Sequence, residues 1–233
     1  MNALILVIIL AIVEGITEFL PVSSTGHMIL VNKLIGGEYL SPTFTNSFLI
    51  IIQLGAILSV VVYFWKDLTP FVGTKEKFVL RFRLWVKIIV GVIPAMVIGL
   101  FLDDIIDKYF MDNVTTIAIT LIVYGIIFIA IEVIYKIKNV KARVRNFSEL
   151  KYGTAFLIGF FQCLAMIPGT SRSGATIIGA LLLGLSRPLA AEFSFYLAIP
   201  TMFGATALKL LKNGLVFTEG EWAYLALGSA IAF

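Results

Sequence analysis

The sequence reads as an all-α integral membrane protein on the strength of its composition, the length of its apolar runs, and the way two of those runs are broken. Of 233 residues, 60% are hydrophobic and 14% charged, against roughly 25% charged in ordinary soluble domains. A soluble core cannot absorb that much apolar surface. The apolar residues fall in runs long enough to cross a hydrocarbon core, which takes about 20 helical residues, and not in the short alternating segments of a barrel. Two further apolar segments are interrupted by a proline among small and hydroxyl-bearing residues, as in a re-entrant helical hairpin.

The first hairpin is expected over 1–34, broken at Pro21-Val-Ser-Ser-Thr-Gly-His27. It lacks the positive start of a secretory signal and carries Glu14 and Glu18 before any small-residue cleavage site, so it belongs to the mature protein. Crossings follow at about 44–65, 84–102 and 114–136. The second hairpin, 153–184, is broken at Pro168-Gly-Thr-Ser-Arg-Ser-Gly-Ala-Thr176. A crossing at about 189–211 comes next, opened by Ser186 and Pro188 and kinked at Pro200. A further span begins near 222 and stops at Phe233, too short to cross.

Basic residues assign the sides. Lys66, Lys75, Lys77, Arg81, Arg83 and Lys87 stand in the connector 66–87, and Lys136, Lys138, Lys141, Arg143, Arg145 and Lys151 in the connector 136–151. Both are expected on the cytoplasmic side. The intervening segment 103–113 holds Asp103, Asp104, Asp107 and Asp112 with only Lys108, which places it on the opposite side. Counting back, the first hairpin opens outward. The net charge of +4 therefore reports topology and not nucleic-acid binding. The single cysteine, Cys163, permits no internal disulfide and no cysteine-based metal site.

Pro21 and Pro168 lie 147 residues apart, and the same offset superposes Ser24 on Ser171 and Ser47-Phe48 on Ser194-Phe195, an internal repeat. Residues 1–136 form the first repeat, 137–152 a basic connector and 153–233 the second repeat. A re-entrant hairpin returns to its starting side, so three crossings separate the hairpins and the repeats are inverted. Their broken tips should then meet near the bilayer midplane.

The chemistry is expected there. Glu14 and Glu18, one turn apart, share a helix face, and a charge at that depth costs roughly 2.5 kcal/mol or more. They require a cationic partner, for which Arg172, protonated His27 and a divalent metal are candidates. His27, the only histidine, follows a Ser-Ser-Thr-Gly stretch whose hydroxyls and bare backbone suit an anion or a nucleophile. Arg172 sits among glycines and small hydroxyl residues that let backbone N–H groups approach a ligand while the guanidinium grips an oxyanion, most plausibly phosphate. Glu192 is left without an assigned role.

Glu14-Gly-Ile-Thr-Glu-Phe-Leu-Pro-Val-Ser-Ser-Thr-Gly-His27 and the segment Pro168–Thr176 resemble the two signature motifs of the bacterial undecaprenyl-diphosphatase (BacA) family. The resemblance extends over the whole chain. It implies an integral membrane phosphatase of the bacterial plasma membrane that converts undecaprenyl diphosphate to undecaprenyl phosphate and inorganic phosphate. Carried over by position, it makes Glu14 and Glu18 the acidic residues tied to a divalent cation, Mg²⁺ or Ca²⁺, with Ser24, His27 and Arg172 essential beside them. Ser23, Thr25, Gly26, Ser171, Ser173, Gly174 and Thr176 become phosphate-lining positions. Membrane lipid and a homodimer are the partners it suggests. The family runs about one helix further, so about six transmembrane helices are expected with the last absent from this chain. A secondary transporter or flippase for an anionic or phosphorylated lipid substrate is the alternative, because inverted repeats with broken helices also build transporters.

Overall fold

The computed structural model describes residues 2–35, 39–71, 73–109, 114–213 and 216–233, with side chains for all of these except 103–109 and 213. The acidic segment 103–113 lies outside the described residues, apart from the backbone up to Tyr109. The chain forms α1 (Ala3–Thr17), α2 (Ser24–Ile35), α3 (Pro42–Tyr63), α4 (Trp65–Leu68), α5 (Lys75–Tyr109) and α6 (Val114–Ile137). It continues with α7 (Tyr152–Cys163), a 3₁₀ turn (Leu164–Met166), α8 (Arg172–Leu182), α9 (Arg187–Asn213) and α10 (Glu219–Ala232). Among the described residues no strand forms beyond one isolated bridge between Val144 and Leu185.

Among the described residues, four helices are long and apolar enough to cross a membrane: 42–63, 75–102, 114–137 and 187–212. They match the four full crossings expected from the sequence, and with the broken hairpins they make an all-helical, multi-pass membrane protein. One boundary differs. Helix α5 starts at Lys75, inside the stretch assigned to a connector, so Lys75, Lys77, Arg81, Arg83 and Lys87 stand on helical turns. The lysine and arginine stems let a helix continue past the apolar slab while the charged heads reach water.

Both apolar hairpins are broken where expected. Between α1 and α2 the chain turns at Ser23, a non-glycine residue with φ 63°, a conformation that costs roughly 1–2 kcal/mol. Its hydroxyl accepts from the Gly26 amide at 3.3 Å, and its carbonyl accepts from the His27 amide at 3.0 Å. Between the 3₁₀ turn and α8 the chain passes Gly169, whose φ of 90° favours glycine. A Cβ there would run into Thr120 and the Ile117 carbonyl of α6, and Thr120 donates to the Pro168 carbonyl at 2.8 Å. The second break is thus pinned against α6.

One end of the bundle is tied by polar contacts. Lys87 donates to the Phe147 carbonyl at 2.5 Å, the Arg143 amide to the Gly184 carbonyl at 2.8 Å, and Tyr135 to the Leu181 carbonyl at 2.6 Å. Arg187 pairs with Glu132 at 2.7 Å on the exposed surface. The basic connector, the turn between α8 and α9, and the starts of α7 and α9 therefore share that end. Around the centre, α5 packs on α7 and α9, while α10 packs on α1 and α3. Small residues allow close approach: a Cβ on Gly159 of α7 would strike the Gly91 carbonyl of α5, and one on Gly55 of α3 would strike the Ser229 backbone of α10.

Candidate functional site

The two breaks meet. Ser173 of α8 donates to the Leu20 carbonyl in the first break at 2.9 Å. Phe19 packs edge-on against Phe195 of α9, centroids 5.7 Å apart. A Cβ on Gly26 would contact the Gly169 Cα, and one on Gly174 would contact Pro21. Both glycines thus lie against the opposite break, while the tighter limit on a Cβ comes from the serine three residues before each, Ser23 and Ser171.

Each break ends in a serine that caps the following helix. Ser171 accepts from the Gly174 amide at 3.1 Å as the N-cap of α8, and Ser23 accepts from the Gly26 amide in the same three-residue spacing. The sequence offset pairs Ser24 with Ser171, whereas the capping roles pair Ser23 with Ser171. That one-residue shift releases the hydroxyl of Ser24, the first residue of α2, from capping. It donates to Glu18 Oε2 in a buried contact. Arg172, the first residue of α8, donates to the other oxygen, Oε1, at 2.5 Å. The first residues of the two post-break helices therefore converge on opposite oxygens of one carboxylate.

Arg172 is held a second time by the Ser194 carbonyl at 3.0 Å, while its Nε–H, also buried, has no protein acceptor. Side chains of Arg172 and Glu18 are 10% and 6% exposed, a pair that depends on good geometry because each ion has lost its water. Thr176 lies one turn below, bridging the Arg172 carbonyl at 2.9 Å and the Ser194 hydroxyl at 2.6 Å. It supports Arg172 from behind and is not among the residues lining the cavity described below. Ser173 and Ser171 share a hydrogen bond at 3.1 Å, and both line the cavity described below.

Glu14 is fully buried beside Ser24 and Glu18, and among the described residues neither of its carboxylate oxygens has a hydrogen-bond partner in good geometry. An ionised carboxylate so placed demands a cation or a proton. Arg172 answers Glu18, leaving Glu14 uncompensated. Among the described residues no cluster of three or more His, Cys, Asp or Glu stands together; Glu14 and Glu18 supply only the one or two carboxylates that Mg²⁺ commonly takes, the rest of its shell being phosphate oxygens and water.

The ring Nδ1 of His27 lies 2.9 Å from the Ser23 carbonyl. A carbonyl only accepts, so Nδ1 carries the proton and Nε2 is left with a lone pair in the neutral ring. His27 thus meets the Ser23 backbone and neither serine hydroxyl, and the hydroxyl of Ser24 goes to Glu18.

Above this cluster opens a cavity of about 550 Å³ with Glu18, Ser24 and Arg172 at its foot. Its walls are the C-terminal halves of α5, from Val92 to Leu100, and of α9, from Pro200 to Leu211, so it opens away from the basic connector. Two buried amides missing from the sequence-based site line it, beside Thr170, Thr201 and Lys209. Gln53 donates to Thr25 at 3.0 Å, and Gln162 donates to Thr201 at 3.1 Å. Their only sequence signal was an amide within an otherwise apolar run.

Fold and site together define a multi-pass membrane protein with a buried carboxylate, guanidinium and hydroxyl cluster at the foot of a largely apolar cavity. The chain belongs to the BacA family: the family model described as "Bacitracin resistance protein BacA" matches residues 7–233. It is 85% identical over 228 residues to an "Undecaprenyl-diphosphatase" of Fusobacterium nucleatum subsp. nucleatum, covering 98% of this chain and 86% of that one. It is 55% identical to "Undecaprenyl-diphosphatase 1" of Clostridioides difficile, over 97% of this chain and 81% of the relative. It is 50% identical to an "Undecaprenyl-diphosphatase" of Enterococcus faecalis, over 97% and 82%. The resemblance read from the two motifs is borne out.

Proposed function

We propose that this chain is a membrane phosphatase that hydrolyses undecaprenyl diphosphate to undecaprenyl phosphate and inorganic phosphate, recycling the lipid carrier for peptidoglycan synthesis. The observation that carries the reading is the convergence of Ser24 and Arg172 on the two oxygens of Glu18 at the foot of the cavity. The names of the relatives support the substrate. Transport of an anionic lipid would use Arg172 but leaves a hydroxyl aimed at a carboxylate without purpose.

In this reading Arg172, through its unfilled Nε–H, and the amide groups opening α2 and α8 receive the terminal phosphoryl group. Glu14 and Glu18 would hold Mg²⁺ or Ca²⁺, which when bound neutralises phosphate charge and polarises a phosphoryl oxygen. Ser24 Oγ forms the bond to the terminal phosphorus as its proton passes to Glu18. The bridging P–O bond breaks, and undecaprenyl phosphate leaves with the electron pair and the proton that Glu18 took from Ser24, which returns Glu18 to its carboxylate. Water then attacks phosphorylated Ser24, the Oγ–P bond breaks, inorganic phosphate is released and Oγ regains a proton. His27 Nε2, with its lone pair, serves as general base and then acid in this exchange.

The inverted repeat read from the sequence would set the two hairpins at opposite ends of the bundle, and the reciprocal packing of α5 on α7 and α9 and of α10 on α1 and α3 supports that arrangement. With the basic connector cytoplasmic, the cavity opens to the extracytoplasmic leaflet of the bacterial plasma membrane, where the prenyl tail lies among lipid. A homodimer completes the proposal and is read by the mass of the purified protein in detergent.

The test is release of inorganic phosphate from a C55 or C15 prenyl diphosphate by purified protein, with and without chelator. Metal-dependent release that Glu18→Ala and Arg172→Ala each abolish is the expected result. No release by folded wild-type protein would overturn the reading.

A further inference from the structure

Gln162, the last residue but one of α7, precedes the second break, is 2% exposed and lines the cavity. Its amide is oriented by a hydrogen-bond chain. Thr201 donates its only hydroxyl proton to the Leu197 carbonyl at 2.7 Å, so Thr201 Oγ1 can only accept from Gln162, and it does so from Nε2 at 3.1 Å. The other amide atom, Oε1, is thereby fixed as an acceptor, and it is buried without any protein donor. A buried unpaired amide oxygen is destabilising, and a donor arriving in the cavity relieves it.

Its position relative to Arg172 follows from α9. Arg172 is anchored on the Ser194 carbonyl and the Gln162 chain on the Leu197 carbonyl, three residues further along. At about 1.5 Å per residue the two anchors are roughly 5 Å apart along the axis. The Gln162 amide therefore sits about one helical turn nearer the cavity mouth than the guanidinium. A phosphate oxygen, itself an acceptor, gains nothing from facing Oε1; a water molecule, with protons to donate, does.

Resting on the phosphatase reading above, we propose that Gln162 Oε1 orients the water that hydrolyses phosphorylated Ser24. The water donates one hydrogen bond to Oε1, which aims a lone pair at phosphorus; its oxygen bonds to phosphorus as the Oγ–P bond breaks. The proton released passes through His27 to Ser24 Oγ, because an amide oxygen is too weakly basic to take it. Gln162 acts in the second half-reaction alone, and phosphoryl transfer to Ser24 does not require it.

The experiment uses the whole protein in detergent with Mg²⁺ and a C15 prenyl diphosphate carrying ³²P in its terminal phosphate. For Gln162→Leu, turnover is expected to fall roughly tenfold to a hundredfold, with KM falling alongside kcat and acid-stable label rising on the protein. Adding Ser24→Ala removes that label. Gln162→Glu, which keeps an acceptor oxygen at the position, restores part of the turnover and lowers the label. Wild-type turnover by Gln162→Leu overturns the proposal. So does a loss of turnover with raised KM and no label, since that places Gln162 in substrate binding or packing. A wild-type protein that releases no phosphate overturns the phosphatase reading itself, and that result is distinguished by being read before any substitution is made.

Discussion

Arg172 answers two demands at once, pairing with Glu18 and leaving its Nε–H for a ligand, and the two can be separated by substitution. Arg172→Ala strips the buried partner from Glu18, which costs about 3–5 kcal/mol when one member of a buried pair is removed. Adding Glu18→Gln removes the orphaned charge. The double variant is therefore expected to unfold at a higher temperature in detergent than Arg172→Ala alone while remaining inactive. Equal melting temperatures for the single and double variants would mean that the pair carries no such penalty. Ser24→Ala removes a small buried hydroxyl and is expected to leave the melting temperature near wild type while phosphate release from a prenyl diphosphate is lost. Full turnover would move the nucleophile to His27. Glu14, Glu18, Ser24 and Arg172 were legible in the sequence because charge inside an apolar run is expensive and their spacing is motif-like. Gln53 and Gln162 were not, since a neutral amide barely disturbs the hydropathy of its run. That Ser24 answers Glu18 was also hidden, because it depends on Ser23 adopting a left-handed turn that no local residue pattern announces.

The helices were legible where the apolar run is uninterrupted and least so where physics other than hydropathy decides. Both hairpin breaks fell where a proline among small residues forced them, and the four full crossings followed from length. The start of α5 was missed because lysines and arginines suppress hydropathy without opposing helix formation. Packing between helices was only partly readable. Gly159 sits in an apolar run like any other glycine, yet it lets α7 come against the Gly91 carbonyl of α5. Gly159→Ala would push backbone against backbone at a cost of about 1–3 kcal/mol, expected to lower the melting temperature in detergent by several degrees. Gly153→Ala, which meets open space, is the control and is expected to leave it unchanged. A shift shared by both variants would point to helix propensity and not to close approach.

The bundle as a whole turns two half-sites into one, because neither hairpin alone brings a hydroxyl, a carboxylate and a guanidinium together. The sequence predicted that the broken tips meet, and the contacts of Glu18 with Arg172 and of Leu20 with Ser173 realise it. The shape of the cavity could not be read, since its walls come from α5 and α9, distant in sequence and featureless in composition. Its one-sided opening makes orientation testable. Leu211 stands at the cavity mouth and is 83% exposed, while Lys141 is exposed on the basic connector at the opposite end. In a Cys163→Ser background, Leu211→Cys is expected to react with a membrane-impermeant maleimide on intact cells, and Lys141→Cys only after permeabilisation. Prenyl diphosphate with its phosphates at Arg172 would thread its tail past position 211, so substrate should slow labelling there and leave position 141 unaffected. Modification of position 141 from outside, with position 211 protected, would reverse the orientation and make the cavity a receptor for lipid in the cytoplasmic leaflet.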